Sequence, residues 1–217
     1  MLKPYAKIVI TGDSVTDCGR ARPVGARNTG LGNGYPFFVD TALAALYPEQ
    51  RIFTVNTGIG GNTSWQLRDR FDTDVLEHNP DLVTIMIGIN NVWRHFDIGS
   101  YFPKDLEKLA PARYEQDLRE MIEKTLAHKA ALILITPYYL ETNLQNPMRR
   151  MCDEYADIVR RLAKEYSVVL CDVQKAFDAF LAKESAYLLS ADRVHPNNTG
   201  HYVIATELLK AMEQIAL

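Results

Sequence analysis

The sequence predicts an α/β protein, a three-layer α/β/α sandwich around a five-stranded parallel sheet. Five short runs rich in β-branched residues recur along its 217 positions, at 7–11 (KIVIT), 51–56 (RIFTVN), 82–87 (LVTIMI), 131–136 (ALILIT) and 167–172 (SVVLCD). Each is a continuous stretch rather than an alternating one, the pattern of strands covered on both faces. Helical periods separate the runs, and alternation of strand and helix from end to end implies a parallel sheet with helices on both sides. The expected strand order is 2-1-3-4-5.

The helical stripes are read from their spacing. Leu67, Phe71 and Val75 repeat at intervals of four. Tyr114, Leu118, Met121, Ile122 and Thr125 form a second stripe. Met151, Tyr155, Ile158 or Val159, Leu162 and Tyr166 form a third, and Ala205, Leu208, Leu209, Met212 and Ile215 a fourth. Such stripes face a core. No linker or composition break divides the chain, so residues 1–217 are expected to form one domain, long enough to bury a core without staples.

Composition excludes several classes. The net charge of −3 leaves no basic footprint for nucleic acid. No apolar run approaches the roughly 18 residues of a membrane span. Cys18, Cys152 and Cys171 are odd in number and lack C-x-x-C spacing, which fits reduced thiols rather than a disulfide framework or a zinc site. In the opening MLKPYAKIVI, Lys3, Pro4 and Lys7 interrupt any signal-peptide core, so a cytoplasmic location is expected.

Two connections are unusually long, residues 12–34 and residues 88–112. Both follow the carboxyl end of a strand, the edge where open α/β sheets bind ligands. Chemistry-bearing residues gather at the same edge. Gly12-Asp13-Ser14 ends the first strand, and NTGIGGNTSW, with Gly58, Gly60 and Gly61, follows the second. Gly88-Ile89-Asn90-Asn91 follows the third, and Asp192 and His195 stand three apart before the last helix.

Each element alone also suits a turn or a helix cap. Taken in order along one edge, they are the parts of an acyl-transfer site. A serine hydroxyl becomes a nucleophile when a histidine removes its proton, and an acid holds the histidine tautomer. Ser14, His195 and Asp192 fill those roles. An oxyanion needs converging N–H donors, and a glycine amide of the loop after the second strand, an Asn side chain after the third and the Ser14 amide could supply them. Pro196 is expected in the first turn of the final helix. Cys18 has no supporting motif and reads as an inert thiol. His78, His95, His128 and His201 lack acid partners at recognisable spacing.

These blocks resemble those of the SGNH hydrolases, the GDSL esterase and lipase superfamily, over nearly the whole chain. The resemblance implies a flavodoxin-like SGNH fold, with the four invariant positions on Ser14, Gly61, Asn90 and His195 and with Asp192 as the acid. The family pattern after the third strand is Gly-x-Asn-Asp, and here the last residue is Asn91. Within the superfamily, GDSVTDCGRARP, GINNVWR, TPYY, NPMRR and DRVHP resemble the small intracellular acetylxylan esterases of bacilli. That implies deacetylation of acetylated xylo-oligosaccharides without metal or cofactor, by a homo-oligomer with no nucleic-acid or membrane partner. Asn62, Trp93, Arg94 and Tyr35 are the expected substrate contacts, with Trp65, Arg20 and Arg22 as further candidates. Two rivals stay open: a lysophospholipase or thioesterase on the same triad, and a non-catalytic carbohydrate- or nucleotide-binding module.

Overall fold

The structure, a computed structural model, describes residues 3–24, 30–97 and 105–215. The first half of the chain runs β1 (Lys7–Gly12), α1 (Ser14–Asp17), α2 (Tyr35–Leu46), β2 (Phe53–Asn56), α3 (Ser64–Asp69), α4 (Phe71–Asp74) and β3 (Leu82–Met86). Then come α5 (Ile89–Phe96), α6 (Leu106–Leu109), α7 (Pro111–Ala127) and β4 (Ala131–Ile135). The last third holds α8 (Pro147–Glu165), β5 (Val169–Cys171), α9 (Val173–Leu181) and α10 (Asn198–Met212).

All five strands are parallel, in the expected order β2-β1-β3-β4-β5. Their carboxyl ends align: Ile10 pairs with Asn56, Gly12 with Met86 and Ile135 with Cys171. Alternate side chains feed two separate cores. Ile8, Ile10, Leu82 and Ile133 pack under α2, α9 and α10, with Tyr35, Val39, Phe177, Ile204 and Leu208. Val9, Val83, Ile85 and Leu134 pack on the opposite face under α3, α4, α7 and α8, with Phe71, Tyr114, Met121, Tyr155 and Leu162. The central strands β1, β3 and β4 read as continuous apolar runs because their two faces are both covered, whereas the edge strand β2 leaves Phe53 exposed.

The stripes fall where their spacing predicts. Leu67, Phe71 and Val75 are fully buried, although a break at Arg70 divides their helix into α3 and α4. Two expectations are corrected. In the connection 88–112 the described residues, 88–97 and 105–112, are largely helical: Gly88 turns the chain at φ +135° straight into α5, and Pro111 opens α7 at its first position. Pro196 does not begin the last helix. Asn197 caps α10, accepting from the amides of Thr199 and Gly200, and Pro196 precedes the cap in a bridge with Ser190.

The double-sided core predicts that strand truncations are costly. Ile133→Ala, at a fully buried position of β4, should lower unfolding free energy by about 2–5 kcal/mol in a urea titration. A loss below about 1 kcal/mol would contradict this packing.

Candidate active site

Strand β1 stops at Gly12 and the chain turns at once into α1. Asp13 caps this single turn, its carboxylate accepting from the Val15 amide at 3.1 Å. Ser14 takes the first helical position, where its own N–H has no intrahelical acceptor. It is half-buried at the sheet edge. Asp13 is buried beneath it, and that burial pushes its carboxyl up to about 7, against the Val15 amide and the field of His195.

The imidazole arrives from the loop before α10. His195 Nε2 lies 2.9 Å from Ser14 Oγ, and its Nδ1 lies 2.6 Å from Asp192 Oδ2. An ionised carboxylate only accepts, so Nδ1 carries the ring proton and Nε2 offers its lone pair to the serine hydroxyl. Asp192 Oδ1 accepts from the Ser190 hydroxyl at 2.9 Å and from the amides of Val194 and His195 at 2.9 and 2.7 Å. Burial works to raise the Asp192 pKa, but hydrogen bonds from the His195 ring, the two amides and Ser190 outweigh it and hold the acid at about 2. The segment after β4 braces this loop, with Tyr138 Oη donating to the Val194 carbonyl at 2.9 Å and the Leu140 amide to that of Arg193 at 3.0 Å.

Two more rim segments bring N–H donors. A Cβ on Gly58 would come within 2.4 Å of the Asp17 amide, so glycine lets the loop after β2 lie against α1. The Gly60 amide donates to Asp17 Oδ2 at 3.0 Å, and a Cβ on Gly60 would stand 3.9 Å from the Ser14 Cβ. Gly61 then turns at φ +79°, in the left-handed region. From α5, Asn90 Nδ2 donates to the Asn62 carbonyl at 3.0 Å, and Arg94 Nη2 to that of Gly61 at 2.9 Å. One N–H of the Asn90 amide is used in this way.

The expected substrate contacts divide. The Trp93 ring stands 5.7 Å from that of His195, half-buried and beside the base. Arg94 and Asn62 lie in the loop cluster, where the Asn62 side chain accepts from Arg70 Nε at 2.8 Å. Tyr35 is a correction: it is fully buried, and its hydroxyl meets Thr16 Oγ1 at 2.9 Å, so it packs the core instead of facing a ligand. Arg20 is likewise buried, donating to the Gly58 carbonyl at 2.7 Å. Arg22 is exposed and pairs with Asp17 at 2.7 Å, while Lys108 lies 4.9 Å over the Trp65 ring.

Other participants were not singled out from the sequence. Ser190 supports Asp192 and carries no motif of its own. The Nδ1 of His201 accepts from the Tyr35 amide at 3.2 Å. Its ring proton therefore sits on Nε2, 3.2 Å from Cys18 Sγ. Burial holds His201 down at about 4, the nearby His195 adding to the effect, and burial pushes the Cys18 thiol up. Asp117 is buried on α7, where an acid inside the Tyr114–Thr125 stripe was the available signal. Among the described residues no group of three His, Cys, Asp or Glu side chains is placed to hold a metal ion. No helix of these residues is long and apolar enough to cross a membrane.

A three-layer sandwich carrying a hydroxyl, an imidazole and a carboxylate in hydrogen-bonded series at its carboxyl edge has the architecture of a hydrolytic enzyme. The chain belongs to the GDSL-like Lipase/Acylhydrolase family, which residues 10–203 match. It is 43% identical over 205 residues to an acetylxylan esterase of Geobacillus stearothermophilus, covering 94% of this chain and 92% of that one. The crystal structure of Axe2, an acetylxylan esterase from Geobacillus stearothermophilus, superposes with a TM-score of 0.91 at 42% identity, over 97% of this chain and 95% of that one. LAE5, an alpha/beta hydrolase enzyme from the metagenome of Lake Arreo in Spain, superposes with a TM-score of 0.92 at 38% identity, over 100% and 99%.

Asp13 yields a prediction with a definite sign. A carboxyl raised in the folded state favours folding while protonated, so its contribution is present below 3.8 and lost as pH rises through about 7. Asp13→Asn keeps an acceptor for the Val15 amide and removes the buried charge. Its Tm relative to the parent should climb between about pH 4 and about pH 8; a constant difference would refute the buried-charge account.

Proposed function

We propose that the protein is a serine esterase that removes acetyl groups from carbohydrates, with acetylated xylo-oligosaccharides as the substrate class. The observation that carries this reading is the series Ser14 Oγ–His195 Nε2 at 2.9 Å and His195 Nδ1–Asp192 Oδ2 at 2.6 Å. The relationship to acetylxylan esterase supports the choice of acetyl and of sugar. The small cavity by the strand ends is lined by neighbours of Ser14 and not by Ser14 itself. The cavity lined by Asp13, Val15, Met86, Ile87, Ile89, Pro137 and Tyr138 holds ≈ 10 Å³, room for about one water-sized group. An apolar groove of ≈ 350 Å³ does exist, but it is lined by Leu43, Leu46, Tyr47, Leu209 and Met212, away from Ser14.

In this mechanism His195 Nε2 takes the Ser14 proton as Oγ attacks the acetyl carbonyl. The Ser14 and Gly61 amides and the Asn90 side chain receive the oxyanion. Collapse of the intermediate expels the sugar oxygen, which takes the proton from His195, and leaves acetyl on Ser14. Water, deprotonated by His195, attacks the acyl-enzyme; acetate leaves and Ser14 regains its proton. Asp192 stays ionised and holds the imidazole in its tautomer throughout. In this reading Trp93 contacts the leaving sugar, which its ring 5.7 Å from that of His195 supports. The reading carries with it a single catalytic domain, a cytoplasmic location and a homo-oligomeric assembly.

Ser14→Ala should lower kcat by several orders of magnitude and Asn90→Ala by about 10²–10³, with KM little changed in the second. Substantial esterase activity in Ser14→Ala would remove the serine from the mechanism. Rates on acetyl and octanoyl nitrophenyl esters, followed by acetate release from acetylated xylo-oligosaccharides, test the acyl group and the sugar. A clear octanoyl preference would assign the site to long-chain acyl substrates.

A further inference from the structure

The two segments that present the Gly61 amide and the Asn90 side chain are joined by a buried polar chain. Asn91 follows Asn90 on α5 and is fully buried. Its Oδ1 accepts from the Ser64 amide at 2.9 Å, so its Nδ2 is the atom that faces the Ser64 hydroxyl, at 3.0 Å. With that donor on one side, Ser64 Oγ directs its own proton to Asp117 Oδ2 at 2.8 Å. Asp117, fully buried on α7, accepts at Oδ1 from Arg68 Nη1 at 2.8 Å and Arg113 Nε at 2.9 Å. The side-chain donors therefore run one way through the Ser64 hydroxyl, from Asn91 Nδ2 to Ser64 Oγ to Asp117 Oδ2, while the Ser64 amide ties back to Asn91 Oδ1 and two guanidiniums meet the charge. Ser64 opens α3, three residues after Gly61.

We propose that Asp117 is a positioning residue for the reaction, holding the Gly61 and Asn90 oxyanion donors in register through Ser64 and Asn91. It supplies from α7 the acid that position 91 lacks. The inference rests on the oxyanion reading given above. A buried chain of this kind holds only while every member is satisfied, since an unpaired buried polar group costs more than the bond it loses.

The polarity of the chain makes it testable by exchange. Asn91→Asp sets two carboxylates against one hydroxyl, so one of them loses its donor. Asp117→Asn leaves either the Ser64 proton without an acceptor or an NH₂ group facing the two arginines. In the double variant the carboxylate at position 91 accepts from the Ser64 amide and hydroxyl. The amide at position 117 donates to Ser64 Oγ, and its oxygen accepts from Arg68 and Arg113. Each bond through the Ser64 hydroxyl is again made, with the direction reversed.

The measurement is kcat and KM on an acetyl ester, normalised to the fraction of enzyme acylated in a burst titration. Each single variant should lose about tenfold or more in kcat with KM little changed, and the double variant should recover to within about threefold of the parent. Recovery in the double variant supports the proposal even where a single variant does not fold. A double variant no better than the worse single one, or single variants with parental kcat, would overturn it. Ser64→Ala keeps both ends and removes only the hydroxyl; it too should lower kcat, and a parental kcat there would count equally against the chain. Asn90→Ala, measured alongside, separates the two readings. If it leaves kcat intact the oxyanion assignment fails; if it lowers kcat and the exchange shows no rescue, the chain through Asp117 alone is wrong.

Discussion

The parallel register of β1 between β2 and β3 is the constraint on which the rest of this structure depends. With Ile10 opposite Asn56 and Gly12 opposite Met86, the strand that carries Ser14 ends level with both neighbours. The loops leaving the three strands must then share one rim, and each contributes one component: a hydroxyl, a glycine turn and an amide side chain. Because both faces of the sheet are filled by apolar side chains, shifting the register by one residue would exchange the two cores. The placement of the site is thus enforced by the burial of residues that take no part in it.

Two carboxylates near His195 show how environment divides roles. Asp13 is adjacent to Ser14 in sequence yet buried, with the Val15 amide as its partner, and its burial disfavours the charge. Asp192 is exposed and collects three donors besides the imidazole. Only the second can stay ionised through the neutral range and face an imidazolium. The same residue type serves in one place as a cap and in the other as the counter-charge.

Most of the fold and the core of the site were legible in the sequence because they follow from periodicity and from order along the chain. The parallel sheet came from continuous apolar runs alternating with helical stripes. Ser14, Gly61, Asn90, Asp192 and His195 were visible because each ends or precedes a regular element. What stayed hidden depends on side-chain direction. Tyr35 stands near rim residues in sequence, but it begins α2 with its ring turned into the core. The helix α5 was read as part of a loop although Ile89, Val92, Trp93 and Phe96 have helical spacing, because Gly88 at a positive φ and the paired Asn90 and Asn91 give its start the look of a turn. Asp117 sits one residue before Leu118, and a stripe read for apolar residues passes over the one charged member that the chain must pair.

The pairing of Cys18 with His201 has a consequence for the chemistry of the rim. A thiol and an imidazole at 3.2 Å ordinarily invite comparison with a cysteine nucleophile and its base. Here the Tyr35 amide occupies Nδ1, and the remaining ring proton points at the sulfur. The imidazole can offer that thiol a hydrogen bond but cannot take its proton. The fold thus keeps two hydroxyl- or thiol-imidazole pairs on one short helix and arms just one of them. A backbone amide, rather than either side chain, thus decides that His201 cannot serve Cys18 as a base.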